Sequence, residues 1–127
     1  MAAHAGKVLV VDDEEAVRNV CVQFVQRLGF EVISAADGEE ALALFKKQVN
    51  EIACVLLDLT MPRKSGVSTL RELKIIRPDI PVILCSGYSE QDALRQFGGE
   101  GMAGFIQKPY RLEELKARLA GIVKGSD

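Results

Sequence analysis

Polar residues close several apolar runs along this 127-residue chain: Asp12 and Asp13 follow KVLVV, Asp58 ends IACVLLD, Ser86 ends PVILCS, and Lys108 follows MAGFIQ. A carboxylate beside a buried apolar segment is costly to desolvate unless a cation or hydrogen-bond donors face it. If the three acids share one pocket they repel, and their pKa values rise unless positive charge neutralises them. Lys108 brings one charge. A hard divalent ion would bring two more. A small set of oxygen ligands suits Mg²⁺, which keeps several waters and favours sites shared with phosphate. The same parts suit phosphoryl transfer. Asp58 can act as nucleophile, and Mg²⁺ with Lys108 can stabilise charge on the phosphoryl oxygens. The simpler reading has Asp12 and Asp13 capping a helix, where its dipole favours acids. That reading leaves Asp58, Ser86 and Lys108 at other run ends without explanation.

The positioning elements follow from periodicity. Five short apolar runs, over 7–12, 30–36, 52–58, 81–86 and 102–107, predict strands, and longer amphipathic segments lie between them. Val17, Val20, Cys21, Phe24, Val25 and Leu28 recur at helical spacing until Gly29 stops them. Asp37-Gly38 opens a second helix carrying Ala41, Leu42 and Phe45. Val67, Leu70 and Leu73 mark a third, ended by Pro78. Ser89 caps a fourth, and Leu112, Leu115, Leu119 and Ile122 stripe a fifth. Alternating β and α units predict a doubly wound parallel sheet with helices on both faces. In such sheets ligands bind beyond the carboxyl ends of the strands, where the polar residues stand. Asp12 and Asp13 can serve one site only if the chain has already left the strand, because neighbouring strand side chains point to opposite faces. Glu14 then starts the first helix.

The composition, 48% apolar and 27% charged with net charge −2, fits one globular domain over 1–127 with a core of about 7–123. The charge does not point to direct contact with nucleic acid or a membrane surface. The opening MAAHAGKVLVVDD does not form a signal peptide, which predicts a cytoplasmic location. Cys21, Cys54 and Cys85 are scattered without C-x-x-C spacing and read as small buried hydrophobes. His4 stands alone near the terminus, so histidine catalysis within the chain has little support. GEGMAG at 99–104 spells G-x-G-x-x-G, but it leads into a strand rather than opening a helix, and it reads as a turn.

Four stretches in order, VVDDE (10–14), LLDLTMPRKSG (56–66), LCSGY (84–88) and GFIQKPY (104–110), resemble the receiver domain of two-component response regulators. The resemblance implies a flavodoxin-like five-stranded sheet in the order 2-1-3-4-5, for which a member of this family is a standard example. It implies that Asp58 accepts a phosphoryl group from a phosphohistidine on a histidine kinase or a histidine phosphotransfer protein. Asp12 and Asp13 match the acidic pair that holds Mg²⁺, and Thr60 the position whose backbone carbonyl ligates it. Ser86 matches the switch hydroxyl, Phe105 the switch aromatic, and Lys108 the phosphoryl-contacting lysine, joined to Pro109 by a cis bond. A face formed by the fourth helix, fifth strand and fifth helix would signal onward, and a phosphorylated copy could pair with a second. No turnover enzyme is implied beyond phosphorylation and dephosphorylation at Asp58. The run SGYSEQDALRQF is closer to receivers attached to hybrid sensor histidine kinases than to stand-alone regulators. Two alternatives fit these residues less well. A degenerate receiver that only binds partners conflicts with all five key positions being filled. A haloacid-dehalogenase-like phosphatase needs a second acid where Thr60 stands, and a cap domain.

Overall fold

The computed structural model describes residues 6–59, 66–97 and 102–123. Strands β1 (Lys7–Val11), β2 (Glu31–Ala35), β3 (Ile52–Asp58), β4 (Val82–Ser86) and β5 (Gly104–Gln107) alternate with helices α1 (Glu15–Arg27), α2 (Gly38–Lys47), α3 (Gly66–Ile76), α4 (Glu90–Phe97) and α5 (Leu112–Val123). The sheet runs β2-β1-β3-β4-β5 with every pair parallel, as expected. Strand side chains alternate between two cores. Leu9, Val11, Val55, Leu57, Val82, Leu84 and Phe105 face the layer that holds Phe45 of α2, Leu73 of α3 and Ala93 of α4. Val8, Val10, Leu56, Ile83 and Ile106 face Cys21 and Val25 of α1 and Leu115 and Leu119 of α5. Both faces are therefore covered, which is why the central strands are apolar throughout. No helix among the described residues is long and apolar enough to cross a membrane.

Local signals place the helix ends. Gly29 takes φ +99°, a left-handed conformation that side chains resist, and its N–H bonds the Gln26 carbonyl at 3.0 Å to close α1. Ser89 Oγ accepts from the Asp92 N–H at 3.2 Å, so Ser89 caps α4 as expected, and Asp37, at the expected start of α2, caps it by accepting from the Glu40 N–H at 2.8 Å. Two expectations need adjusting. Edge strand β2 is only half-buried, with Glu31 and Ser34 exposed, and no other described strand pairs with its outer side. Val20, counted in the α1 core stripe, is 44% exposed; it lies past the edge of the face that Cys21 and Val25 bury.

Candidate functional site

β1 ends at Val11, so Asp12 and Asp13 lie just beyond the sheet. The Asp12 N–H still bonds the Ala35 carbonyl at 3.1 Å, extending the ladder by one step. Its carbonyl instead accepts from Arg18 Nη1 at 2.7 Å. Its Oδ1 accepts from the Glu14 N–H at 3.0 Å, making a tight turn into α1. That turn lets neighbouring acids share a site. Asp12, Asp13 and Asp58 each place a carboxylate oxygen within 4.8 Å of the others. Asp12 is fully buried, Asp58 is 1% exposed, and Asp13 faces solvent.

Lys108 follows β5 and reaches across two strand ends, its Nζ 2.8 Å from Asp12 Oδ2 and 3.3 Å from Asp58 Oδ2. The Lys108 ammonium is the charge beside buried Asp12 Oδ2, and among the described residues no well-aligned donor reaches that oxygen. Burial lowers the lysine pKa, but the Asp12 and Asp58 carboxylates raise it more, and the balance lies above its ordinary 10.5. Two carboxylates within 4.8 Å repel by roughly 3 kcal/mol at an effective dielectric of about 20. One ammonium cannot offset three such charges. The oxygen-only donor set, the undirected Oδ2 and the excess negative charge fit a hard divalent cation such as Mg²⁺.

Asp58 is held from behind by close backbone packing. The Leu59 N–H bonds the Cys85 carbonyl at 2.9 Å, and the Gly66 N–H bonds the Leu59 carbonyl at 3.2 Å. A Cβ on Gly66 would lie 2.5 Å from the Asp58 carbonyl oxygen and 2.6 Å from Leu59 Cα. Only glycine lets α3 approach the strand end this closely. Neither Gly66 nor Arg18 is among the residues that the sequence pattern singles out for the site. A glycine eight residues after a strand-end acid, and an arginine six after the Asp12 bend, were the available signals.

Ser86 ends β4, next to the Asp58↔Cys85 pair of the β3–β4 ladder, and is fully buried. Its Oγ accepts from the Tyr88 N–H at 3.0 Å. Phe105 is 4% exposed, within the core cluster that includes Leu84 and Ala93. The Lys108–Pro109 bond is cis. Thr60 lies outside the described residues. Cys21, Cys54 and Cys85 are all buried, as small packing groups are, and burial raises each thiol and the Tyr110 phenol, Cys54 and Cys85 to about 12.

A family model, the response regulator receiver domain, matches residues 8–120. The chain is 37% identical over 120 residues to the sensor kinase CckA of Brucella abortus (strain 2308), covering 94% of this chain and 13% of that one. A solved response regulator receiver domain protein from Clostridium thermocellum aligns with TM-score 0.87 and 30% identity, covering 95% of this chain and 96% of the other. The response regulator TrrA of Thermotoga maritima, solved in complex with Mg²⁺–BeF, aligns with TM-score 0.83 and 29% identity, covering 92% and 98%. The chain spans about half the length of several curated transcriptional regulators it matches. On its sheet order, its strand-end residues and the match over 8–120, the chain belongs to the receiver domain family of two-component response regulators.

Proposed function

We propose that the chain accepts a phosphoryl group on Asp58 from the phosphohistidine of a histidine kinase or histidine phosphotransfer protein. The observation that carries this is the buried Asp58 carboxylate at a strand end, with Lys108 at 3.3 Å and the Asp12 and Asp13 oxygens within 4.8 Å. In the reaction an Asp58 oxygen attacks phosphorus, a P–O bond forms, the P–N bond breaks, and the ring nitrogen takes the electron pair, so that a ring protonated on its other nitrogen leaves as neutral imidazole. Lys108, already aimed between Asp12 and Asp58, turns to the transferred group's oxygens. Asp12, Asp13 and Asp58, with the Thr60 carbonyl, would hold Mg²⁺, which would supply positive charge to stabilise the transferring group. The Mg²⁺–BeF complex of the TrrA relative supports this choice of ion.

A surface groove beside the site would seat a helix of the donor. This groove of about 460 Å³ runs from Glu14, Ala16, Val17 and Val20 of the α1 side to Lys108, Pro109 and Tyr110. It is mostly apolar and borders the Asp12–Lys108 pair, so a helix seated there would present a side chain to Asp58. The exposure of Val20 is then useful rather than wasteful.

The response would run through Ser86 and Phe105. Phosphorylation adds about −1.5 to −2 charge and new acceptors at Asp58, and the Ser86 hydroxyl would turn to them. The buried Phe105 is the state that this movement would hold, with an outward ring as its unphosphorylated counterpart and the α4–β5–α5 face as the readout. A charged hydrogen bond contributes roughly 1.5–3 kcal/mol. A full 1:99 to 99:1 reversal needs about 5.5, so Lys108 must share the work. We read 1–127 as one receiver unit working in the cytoplasm. The likeness to CckA supports attachment to a hybrid kinase, which the full-length gene would decide.

The test is mass spectrometry after incubation with acetyl phosphate and Mg²⁺. One hydroxylamine-labile phosphoryl group is expected, absent from Asp58→Asn. A stable phosphoserine at Ser86, or no modification, would overturn the reading.

A further inference from the structure

Two arginines donate from Nη1 to backbone carbonyls, at opposite ends of the sheet. Arg77, just past α3, bonds the Val49 and Ile52 carbonyls at 2.9 and 2.6 Å, where α2 hands over to β3. Arg18, within α1, bonds the Asp12 carbonyl at 2.7 Å. The first ties a connection far from any acid cluster. The second acts on the peptide that joins the two acids of the candidate metal site.

That peptide decides whether the acids can work together. Were Asp12 and Asp13 in regular strand, their carboxylates would point to opposite faces. The Asp12 N–H remains in the ladder, bonded to Ala35 at 3.1 Å, so the departure must occur at its carbonyl. As the chain leaves the sheet, Arg18 supplies a charge-assisted donor to this carbonyl. With the carbonyl pinned, the plane of the Asp12–Asp13 peptide is fixed. The Glu14 N–H can then reach Asp12 Oδ1 at 3.0 Å, and Asp13 comes round to within 4.8 Å of Asp12 and Asp58. Arg18 is itself half-buried, and its own N–H starts the α1 ladder by bonding Glu14 at 2.8 Å. One residue thereby links the start of the helix to the bend in the strand.

We infer that Arg18 is a positioning residue for divalent-cation binding: it holds the Asp12–Asp13 peptide so that both carboxylates face Asp58. This rests on the metal reading above. It does not require Arg18 to touch the ion.

The test compares Arg18→Met, which keeps the stem and removes the donors, with Arg18→Lys and with Arg77→Met. Mg²⁺ affinity is read by calorimetry, hydrogen exchange of the Glu14 amide is read without metal, and thermal stability is read alongside. Arg18→Met should lose about tenfold in Mg²⁺ affinity, the scale on which outer partners of metal ligands act, and its Glu14 amide should exchange faster. Arg18→Lys should recover part of both. Arg77→Met should lose stability while keeping wild-type Mg²⁺ affinity. If Arg18→Met does not fold, Arg18→Lys carries the test: an intermediate affinity supports the inference and a wild-type affinity overturns it. Wild-type affinity in a folded Arg18→Met, or an equal loss in Arg77→Met, overturns it while leaving the metal reading intact. No Mg²⁺ binding by the unaltered protein would instead remove the metal reading itself.

Discussion

The two ends of the sheet use charge in opposite ways. At the amino ends of the strands, charges are matched. Lys7 Nζ sits 2.7 Å from Glu51 Oε1 and donates to Gln48 Oε1 at 2.6 Å, while Arg77 pairs with Asp79 at 3.0 Å and with two carbonyls. At the carboxyl ends, Asp12, Asp13 and Asp58 crowd together, two of them buried, with Lys108 between. The first arrangement is what a fold needs to close its loops. The second costs folding free energy and is explained by what it can bind. An end built only for stability would not bury like charges.

The largest effect expected from breaking this contrast comes from Lys108→Ala. Its loss leaves buried Asp12 and Asp58 without this countercharge. A loss of about 3 kcal/mol is expected in urea unfolding. The effect has a pH signature. The folded lysine pKa lies above its ordinary 10.5, so its contribution is complete below that value and disappears as pH rises through the folded one. The wild-type and Lys108→Ala difference should be flat from neutral pH to about 10 and shrink above it. A difference that already fades between pH 7 and 9 would contradict the pairing.

Gly66→Ala comes next. The added methyl meets backbone, not a movable side chain, at 2.5–2.6 Å, and a cost of about 2 kcal/mol is expected. Because α3 would shift off Asp58, phosphorylation by acetyl phosphate should slow even where the variant stays folded. An unchanged rate in a folded, destabilised variant would confine Gly66 to packing. Glu51→Gln should do least. It removes an ion pair on an exposed surface, where such pairs contribute little, and its melting temperature should match wild type within the scatter of the measurement. A drop comparable with that of Lys108→Ala would erase the distinction between the two ends.

The polar strand ends were legible because each acid, hydroxyl or lysine interrupts an apolar run, and parallel topology sends all those interruptions to one side. The strand limits were less so. MAGFIQ suggests a strand from 102, but β5 starts at Gly104, where pairing with Ile83 of β4 begins; an apolar run does not say where its partner starts. Val20 shares the spacing of a core residue yet sits in the groove by Pro109, since periodicity gives a face but not its width. Gly66 and Arg18 act through backbone atoms of distant or bent segments, and such contacts leave only a spacing to an acid, eight and six residues, in the sequence. Phe105 could be named as a switch candidate but not given a position; its burial needed the packing of β5 against the α4 side.

The central claim is that the acidic cluster is held in reserve for a divalent cation and a phosphoryl group. Thermal melts of wild type and Asp58→Asn, each with and without Mg²⁺ and beryllofluoride, test it most directly. Without ligands Asp58→Asn should melt higher, because one of the repelling charges is gone. With ligands the order should reverse: wild type should rise by the amount that ligation at a hundredfold excess over Kd provides, about 2.7 kcal/mol, and Asp58→Asn should barely move. A wild type that ignores the ligands, or a variant that responds equally, would contradict the claim.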